Sequence, residues 1–359
     1  MVPLSEIDLP PGWEETATRI LAAHGVVMVL GGPDSGKSTF CRYILALAQQ
    51  TATRMALIDG DLGQSHLGPP ATLGLNFYPP HGPDDFGLIP DTWYFIGQTS
   101  PPGKMLELVV GLRRLAVSAR SRDYRRLIVN TSGFVSGPAA QRLKLAKIET
   151  LEPRLVIGLQ RQGELEPLLR PLRALRGSEV LTLPVSHRAQ AKLYGQRRLY
   201  RQERFAAYFA AAHPQALPLT RVSWLGFPFG QGKPWPLKQM VRLEELLEVP
   251  VLHAERTHRG ALLLTGQRPA GELAQAAREL GVEAISWVAW PYLEQRLVGL
   301  LNDDLLCLGL GLLLPSPWER REIILLTPLS SHLVSQVRFC RLGKIRLDPD
   351  GRELPFPGC

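Results

Sequence analysis

One segment near the N-terminus limits the fold more than any other feature of the sequence. The run Gly31-Gly-Pro-Asp-Ser-Gly-Lys-Ser38 fits the pattern G-x-x-x-x-G-K-[ST], between an apolar segment, 26–30, and a helix-like segment, 38–49. The strand–loop–helix order is typical of a phosphate-binding loop, whose backbone N–H groups turn inward around a phosphate. We therefore expect an α/β fold, a P-loop NTPase parallel sheet with flanking helices, that binds a nucleoside triphosphate with Mg²⁺.

The residue types of this loop indicate what each side chain contacts. Lys37 is expected to reach the β- and γ-phosphates, and the Ser38 hydroxyl is expected to bind Mg²⁺. A chance Gly-rich turn is the alternative, and the flanking strand and helix disfavour it. The sequence has no Asn-Lys-x-Asp segment of the kind that GTPases carry, so elimination favours a P-loop kinase. The predicted nucleotide-binding residues are Gly31, Pro33, Asp34, Ser35, Gly36, Lys37, Ser38 and Thr39.

Two carboxylates follow the second predicted strand, 55–59, at the edge where ligands of such sheets bind. Asp59 and Asp61 are two residues apart, so in an extended segment both side chains point to the same side. A phosphoryl acceptor needs a base within hydrogen-bond reach. We predict Asp61 as that base and Asp59 as a metal-site carboxylate, against the alternative of a polar turn. His66, in the next loop, is a candidate substrate contact or a surface-turn histidine.

Apolar runs alternate with helix-like stretches over residues 25–215, as a parallel sheet with flanking helices requires. Residues 63–91 are rich in Gly and Pro and predict a long loop. After a segment dense in Pro, Gly and aromatic residues, short apolar runs separated by turns predict a C-terminal β-rich domain, 216–359. We therefore expect an N-terminal extension (1–24), a P-loop kinase domain (25–215) with a helical lid (187–213), and this third region.

The chain is basic, with a net charge of +8, and part of the excess is concentrated in one segment. Residues 188–204 carry six Lys or Arg side chains against one Glu. On a helix, Arg197, Arg201 and Arg204 fall on one face. An arginine that closes over a transferring phosphoryl group can raise the rate about 10³–10⁵-fold. A solvated basic face is the alternative, and an Arg-rich composition alone could produce it.

Five segments occur in an order that is known from one family. They are the phosphate-binding loop, residues 59–64 with Pro69 and Pro70, residues 95–101, residues 129–137 and residues 197–209. Together they resemble the polynucleotide 5′-hydroxyl kinases, which include the eukaryotic pre-mRNA cleavage-complex kinase, the pre-rRNA-processing kinase and smaller archaeal and bacterial relatives. The resemblance covers about residues 25–215.

This resemblance implies an enzyme that transfers the γ-phosphate of ATP, with Mg²⁺, to the 5′-hydroxyl end of RNA or DNA. It implies that Lys37, Asp59, Asp61, Arg197 and Arg201 are catalytic, with Ser38 and Asp59 at the metal. Phe134 stands where the family usually has Trp, and its smaller ring still offers a face on which a base can stack. With His66, the substrate-contacting set is Asp61, Gln64, Thr131, Gly133, Phe134, Arg198 and Arg204.

Two other functions fit the same residues. One is a nucleotide-binding scaffold of an RNA-processing complex with little kinase activity, and the other is a P-loop kinase for a small metabolite. The four cysteines show no C-x-x-C spacing, and the N-terminus lacks the basic and apolar regions of a signal peptide. We therefore expect a cytoplasmic protein that does not enter a membrane.

Overall fold

Most apolar runs of the first half form strands that are buried along their length and flanked by residues that turn the chain, whereas the strand at residues 179–184 is largely exposed. The computed structural model describes residues 7–78, 89–218, 221–226, 232–258, 260–315 and 322–357. The chain folds into two units, 1–207 and 208–359. The division falls within a helix, whereas the sequence placed a domain boundary after residue 215. The three expected domain ranges stay predictions.

The first unit alternates strands and helices as the sequence predicted, apart from one helix and one strand that are described below. Its elements are α1 (Trp13–Ala22), β1 (Gly25–Gly31), α2 (Lys37–Gln50), β2 (Met55–Gly60), β3 (Thr72–Tyr78), β4 (Thr92–Phe95), α3 (Met105–Ser121), β5 (Arg126–Thr131), α4 (Pro138–Leu151), β6 (Leu155–Gln160), α5 (Glu166–Leu172), β7 (Glu179–Pro184) and α6 (Tyr194–Phe209), the last two residues of which belong to the second unit.

These strands form one seven-stranded sheet in the order β4-β3-β2-β5-β1-β6-β7. The five strands from β2 to β7 in this order pair in parallel, which confirms the α/β fold class. The two strands at the β4 edge pair antiparallel. The predicted loop over 63–91 is therefore wrong in part, because residues 72–78 form β3 and are buried along their whole length.

Two further expectations for the first unit need correction. The basic helix was expected from residue 188, but α6 begins at Tyr194, and residues 188–193 form an irregular segment. The sequence also gave no helix before the first strand. Trp13 of α1 is buried against Phe40 of α2 in an edge-to-face contact, so this helix is part of the core around the sheet.

The second unit is rich in β-structure, as predicted. Its elements are β8 (His213–Pro218), β9 (Ser223–Leu225), β10 (Lys233–Pro234), α7 (Leu237–Leu247), β11 (Val251–Thr257), β12 (Gly260–Thr265), α8 (Leu273–Glu279), β13 (Ile285–Ala289), β14 (Arg296–Leu301), β15 (Cys307–Leu314), β16 (Glu322–Thr327), α9 (Ser331–Gln336), β17 (Phe339–Leu347) and β18 (Glu353–Leu354). One sheet follows the path β18-β17-β14-β15-β16-β8 with β9 beside β17, and a separate four-stranded sheet has the order β10-β11-β12-β13. A β-rich pattern predicts strands but not their pairing.

Within the described ranges, no helix is both long enough and apolar enough to cross a membrane.

Candidate active site

The phosphate-binding loop, residues 31–38, joins β1 to the first turn of α2. Gly36 has φ +83°, a left-handed conformation that suits glycine, and it directly precedes the helix. A Cβ on Gly31 would collide with Ser35 Oγ, so the tight turn needs glycine here. Lys37 Nζ donates to the Gly32 carbonyl at 2.6 Å, and Ser35 Oγ donates to the same oxygen at 3.0 Å. The lysine thus lies folded over the loop in which a phosphate would bind.

The pairing of three parallel strands brings the polar residues of the site together. Asp59 of β2 pairs with Asn130 of β5, and Asn130 pairs with Val29 of β1, just before the phosphate-binding loop. Asn130 Nδ2 donates to Asp59 Oδ1 at 3.0 Å and to Ser38 Oγ at 3.2 Å. The amide therefore joins the strand-end carboxylate to the hydroxyl predicted at the metal.

Asp59 is enclosed by the chain, with 1 % of its surface exposed. Besides Asn130, it accepts the backbone N–H groups of Asp61 (3.2 Å), His66 (2.7 Å) and Leu67 (3.4 Å). Burial, followed by the negative charge of Asp61, raises its pKa to about 6, and the backbone donors oppose that rise. These bonds to the Asp59 carboxylate therefore hold the loop after β2 in place.

Asp61 lies beyond the end of β2 and is half-buried. Its Oδ1 accepts the backbone N–H groups of Gly63 and Gln64, both at 3.1 Å, which fixes the carboxylate in a tight turn. Burial lowers the pKa of Lys37, whereas the charges of Asp61 and then Asp34 act to raise it. The buried ammonium of Lys37 supplies positive charge where phosphates would bind, and the carboxylates of Asp61 and Asp34 help to keep it charged.

The expected substrate contacts Thr131, Gly133 and Phe134 lie in residues 131–137, which we call the clasp, and this segment begins at a buried hydroxyl. Thr131 Oγ1 donates to the Val29 carbonyl at 2.8 Å and accepts from Lys144 Nζ at 2.9 Å. Thr131 has no exposed surface. This geometry favours a supporting role for Thr131 over the expected direct contact with substrate.

Gly133 is where this clasp touches the phosphate-binding loop. A Cβ on Gly133 would lie 2.7 Å from the backbone nitrogen and 2.8 Å from Cα of Pro33. Only glycine allows the two loops this close approach. Phe134 follows and is half-buried, so part of its ring remains available for contact.

Arg197 of the basic helix α6 contacts the phosphate-binding loop. Arg197 Nη2 forms an ion pair with Asp34 Oδ2 at 2.6 Å, and the backbone N–H of Lys192 donates to the same oxygen at 2.9 Å. Burial alone would raise the pKa of Asp34, but these bonds hold it below its ordinary value. Arg201 is half-buried and Arg198 is exposed.

A second set of contacts joins α6 to the loop after β2. Arg204 Nη2 donates to the carbonyls of Gly68 (2.8 Å) and His66 (3.3 Å). The His66 ring meets Tyr200 edge to face, and Arg42 Nη2 of α2 donates to its Nδ1 at 2.8 Å. Burial, followed by Arg42, lowers the pKa of His66 to about 3. The structure thus places His66 and Arg204 in contacts that hold α6 over the site.

A cavity of about 180 Å³ opens beside the phosphate-binding loop. It lies between the segment before α1, the outer face of α2 and the segment after β7. Trp13 forms an apolar wall, and Thr39 and Arg42 contribute from α2. Asp8 and Arg188 supply charged groups, and the Ser186 hydroxyl donates to Asp8 Oδ2 at 2.6 Å.

Several residues of the site were not predicted from the sequence. Asn130 is an uncharged residue at the end of a predicted strand, and its bonds to Ser38 and Asp59 depend on the pairing of distant strands. Lys144 and Lys147 are fully buried on α4. The spacing of apolar residues could have identified both positions as buried, because both lysines fall on the apolar face of that helix. Lys192 lies in the predicted basic segment, but the bond from its backbone N–H to Asp34 follows from the fold, and Arg42 lies in no distinguishing pattern.

Comparison with known proteins agrees with the motif order. Residues 31–211 match the family described as the mRNA cleavage and polyadenylation factor CLP1 P-loop. The chain belongs to this family. A polyribonucleotide 5′-hydroxyl-kinase of Pyrococcus furiosus is 29 % identical over 350 residues, which cover 97 % of this chain and 95 % of that protein. One of Thermococcus kodakarensis is 30 % identical and covers 91 % and 90 %.

Solved structures show the same fold. One chain in the solved structure of the wild-type Clp1p–Pcf11p (454–563) complex superposes with a TM-score of 0.58 at 14 % identity. The match covers 92 % of this chain and 77 % of that one. This structural similarity confirms the fold class of the chain, an α/β P-loop sheet with a β-rich C-terminal part.

Proposed function

We propose that this chain is an ATP- and Mg²⁺-dependent polynucleotide 5′-hydroxyl kinase. Its nucleotide is ATP, its acceptor is the 5′-hydroxyl end of RNA or DNA, and its products are ADP and a 5′-phosphorylated strand. Near full-length similarity to archaeal proteins named polyribonucleotide 5′-hydroxyl-kinases supports this function.

The observation that carries the proposal is the position of Asp61 relative to the phosphate-binding loop. The pairing of β2, β5 and β1 sets a carboxylate beside the loop that holds Lys37. The clasp, 131–137, contacts the same loop at Pro33. A donor phosphate and an acceptor hydroxyl can therefore meet in one place with a base beside them, as a phosphoryl transferase requires.

The oxygen-rich residues around Ser38 fit a magnesium ion. Hard cations prefer hydroxyl, carboxylate and amide oxygens. Asn130 Oδ1 is buried with no hydrogen-bond partner among the described residues, so an acceptor is left over beside Ser38 and Asp59. Ser38 would hold the ion directly, and Asp59, already bonded by several donors, would hold it through water. When bound, the ion supplies positive charge to the transferring phosphates.

The transfer follows from the roles of the protein's own groups. Asp61 accepts the proton of the 5′-hydroxyl while the hydroxyl oxygen forms a bond to the γ-phosphorus of ATP. The bond from that phosphorus to the β–γ bridging oxygen breaks in line, and ADP leaves with the electron pair. Lys37 stabilises negative charge on the phosphates, and Arg197, which pairs with Asp34 of the phosphate-binding loop, and Arg201 add positive charge from α6.

The cavity beside the loop is the place for the nucleoside of ATP. Thr39 follows Ser38 at the start of α2, so the cavity continues from the phosphate site. Asp8 and Arg188 line this cavity and offer polar contacts. The short segment before α1 would thereby form one side of the nucleotide site.

The direct test is transfer of label from γ-labelled ATP to an oligonucleotide. The protein is incubated with Mg²⁺ and RNA or DNA strands that carry a 5′-hydroxyl, with the same strands bearing a 5′-phosphate as the matched control. We expect label on the hydroxyl strands alone.

Retained ATP binding without labelled nucleic acid would contradict the proposal and favour a scaffold. Label that appears on a small alcohol, and not on oligonucleotides, would instead favour a metabolite kinase. Lys37→Ala, which removes the phosphate-binding ammonium, should abolish the label in either case.

A further inference from the structure

Helix α4 buries two lysines on its apolar face. Lys144 and Lys147 are both 0 % exposed and one turn apart, among apolar neighbours of the same face, Ala140, Leu143, Ile148 and Leu151. Lysine is rarely fully buried, because removing an ammonium from water is costly unless it is bonded. Two buried ammonium groups therefore lie on α4, and neither takes part in the transfer described above.

The two lysines differ in what their ammonium groups contact. Lys144 Nζ donates to Thr131 Oγ1 at 2.9 Å and to the Ser132 carbonyl at 2.7 Å. Lys147 Nζ is buried with no hydrogen-bond partner in the described parts of the chain. Lys144 is thus built into a network, and Lys147 shares its burial without those bonds.

The network of Lys144 continues to both substrate-binding segments. Thr131 Oγ1 donates to the carbonyl of Val29, at the end of β1. The next residues of the clasp bring Gly133 onto Pro33 of the phosphate-binding loop, where no Cβ fits. Lys144 therefore bonds the root of the clasp, and the clasp in turn contacts both the end of β1 and the phosphate-binding loop.

We propose that Lys144 is a positioning residue that fixes the clasp, residues 131–137, against the phosphate-binding loop so that acceptor and donor are aligned. The inference rests on the proposed function, because the clasp holds the acceptor end in that proposal. Lys144 has no exposed surface, so it acts through Thr131 and Ser132 and does not touch the nucleic acid.

Charge is the competing explanation for a lysine at this place. Burial, followed by the positive charges of Lys147 and Lys37, lowers the pKa of Lys144, and Asp61 opposes this. Burial likewise lowers the pKa of Lys147, and Asp61 again opposes it. Both lysines therefore act on Asp61 through space, but only Lys144 bonds the clasp. A pair of single substitutions separates the two effects.

The experiment compares Lys144→Met with Lys147→Met, which removes an equally buried ammonium one turn away. The steady-state KM for a 5′-hydroxyl oligonucleotide and the KM for ATP are measured separately for each variant and the wild type. A clasp that is no longer held in place binds the acceptor end less tightly, and loss of a partner that orients a binding group commonly lowers affinity or activity by about 10- to 100-fold. For Lys144→Met we expect the acceptor KM to rise about tenfold and the ATP KM to change less than about twofold.

Thr131→Val provides a second variant that removes the oxygen bonded by Lys144 while keeping the side-chain shape. It should raise the acceptor KM in the same direction as Lys144→Met. If Lys144→Met does not fold, as judged by circular dichroism, Thr131→Val alone decides the matter. Lys147→Met should leave both KM values near those of the wild type.

The outcomes separate this inference from the function on which it rests. No transfer by the wild type contradicts the proposed kinase itself. An active wild type with an unchanged acceptor KM in Lys144→Met, or in Thr131→Val where Lys144→Met is unfolded, overturns the positioning role. Equal shifts in Lys144→Met and Lys147→Met also overturn it, because they assign the effect to charge near Asp61.

Discussion

Replacing Lys147 by Met should stabilise the first unit. Lys147 Nζ is buried with no hydrogen-bond partner in the described residues, and burial lowers its pKa from 10.5 to about 8. A side chain that must lose or bury its charge on folding reduces stability at neutral pH. Met has a similar length and an apolar end, so it fills the same space without that cost.

The pKa shift gives the size and the pH dependence of the effect. For a base whose pKa falls on folding, the unfolded chain binds more protons between the two pKa values, so stability rises with pH there. A shift of about 2.5 units corresponds to about 3 kcal/mol at pH 7. Lys147→Met should therefore gain about 3 kcal/mol over the wild type at pH 7, and about 1 kcal/mol at pH 10, where most of the wild-type cost is gone.

Urea unfolding followed by circular dichroism at pH 7 and pH 10 measures this difference. A bound nucleotide raises the midpoint of the unit that holds it, which identifies the transition of residues 1–207. Ser136→Ala, an exposed substitution in the clasp, serves as the control and should not change stability by more than about 0.5 kcal/mol. A variant less stable than the wild type at pH 7, or a difference that does not shrink at pH 10, would refute the reasoning.

Three further predictions concern the loops of the site. Asp61→Asn keeps the side-chain oxygen that accepts two backbone N–H groups, but the amide cannot act as a base. Its kcat should fall about 10²–10⁴-fold while its affinity for ATP is unchanged. A kcat close to that of the wild type would show that Asp61 is not the base. Asp34→Asn removes the charge that pairs with Arg197, so trypsin should cleave the segment before α6 faster without nucleotide, and an unchanged cleavage rate would contradict this. Gly133→Ala forces the clasp away from Pro33 and should abolish transfer while the fold persists by circular dichroism, and wild-type transfer rates would count against the contact.

The sequence predicted the site where local patterns carry the information. The phosphate-binding loop, the carboxylates after β2 and the arginine face of α6 all follow from spacing within one short segment. Asn130 could not be given its role in this way, because its bonds to Ser38 and Asp59 depend on the pairing of β5 with its two neighbours. Strand order in a parallel sheet joins residues that are far apart in the chain.

Buried charges and short strands account for the rest of what was missed. Lys144 and Lys147 occupy apolar-stripe positions, yet a lysine is ordinarily placed at the surface because few are fully buried. Residues 72–78 show no alternation because β3 is buried on both faces, and the Gly- and Pro-rich flanks suggested a loop. In the second unit, apolar runs predicted several strands, but the division into two sheets depends on long-range pairing.

Single-turnover transfer tests the central claim most directly. Excess protein is first loaded with γ-labelled ATP and Mg²⁺, then mixed with a 5′-hydroxyl RNA, and the label on RNA and in free phosphate is followed over time. The wild type should place one labelled phosphate on each RNA end, with little free phosphate, and Asp61→Asn should retain its bound ATP unreacted. Bound ATP that gives no labelled RNA in the wild type, or equally fast transfer by Asp61→Asn, would contradict the account.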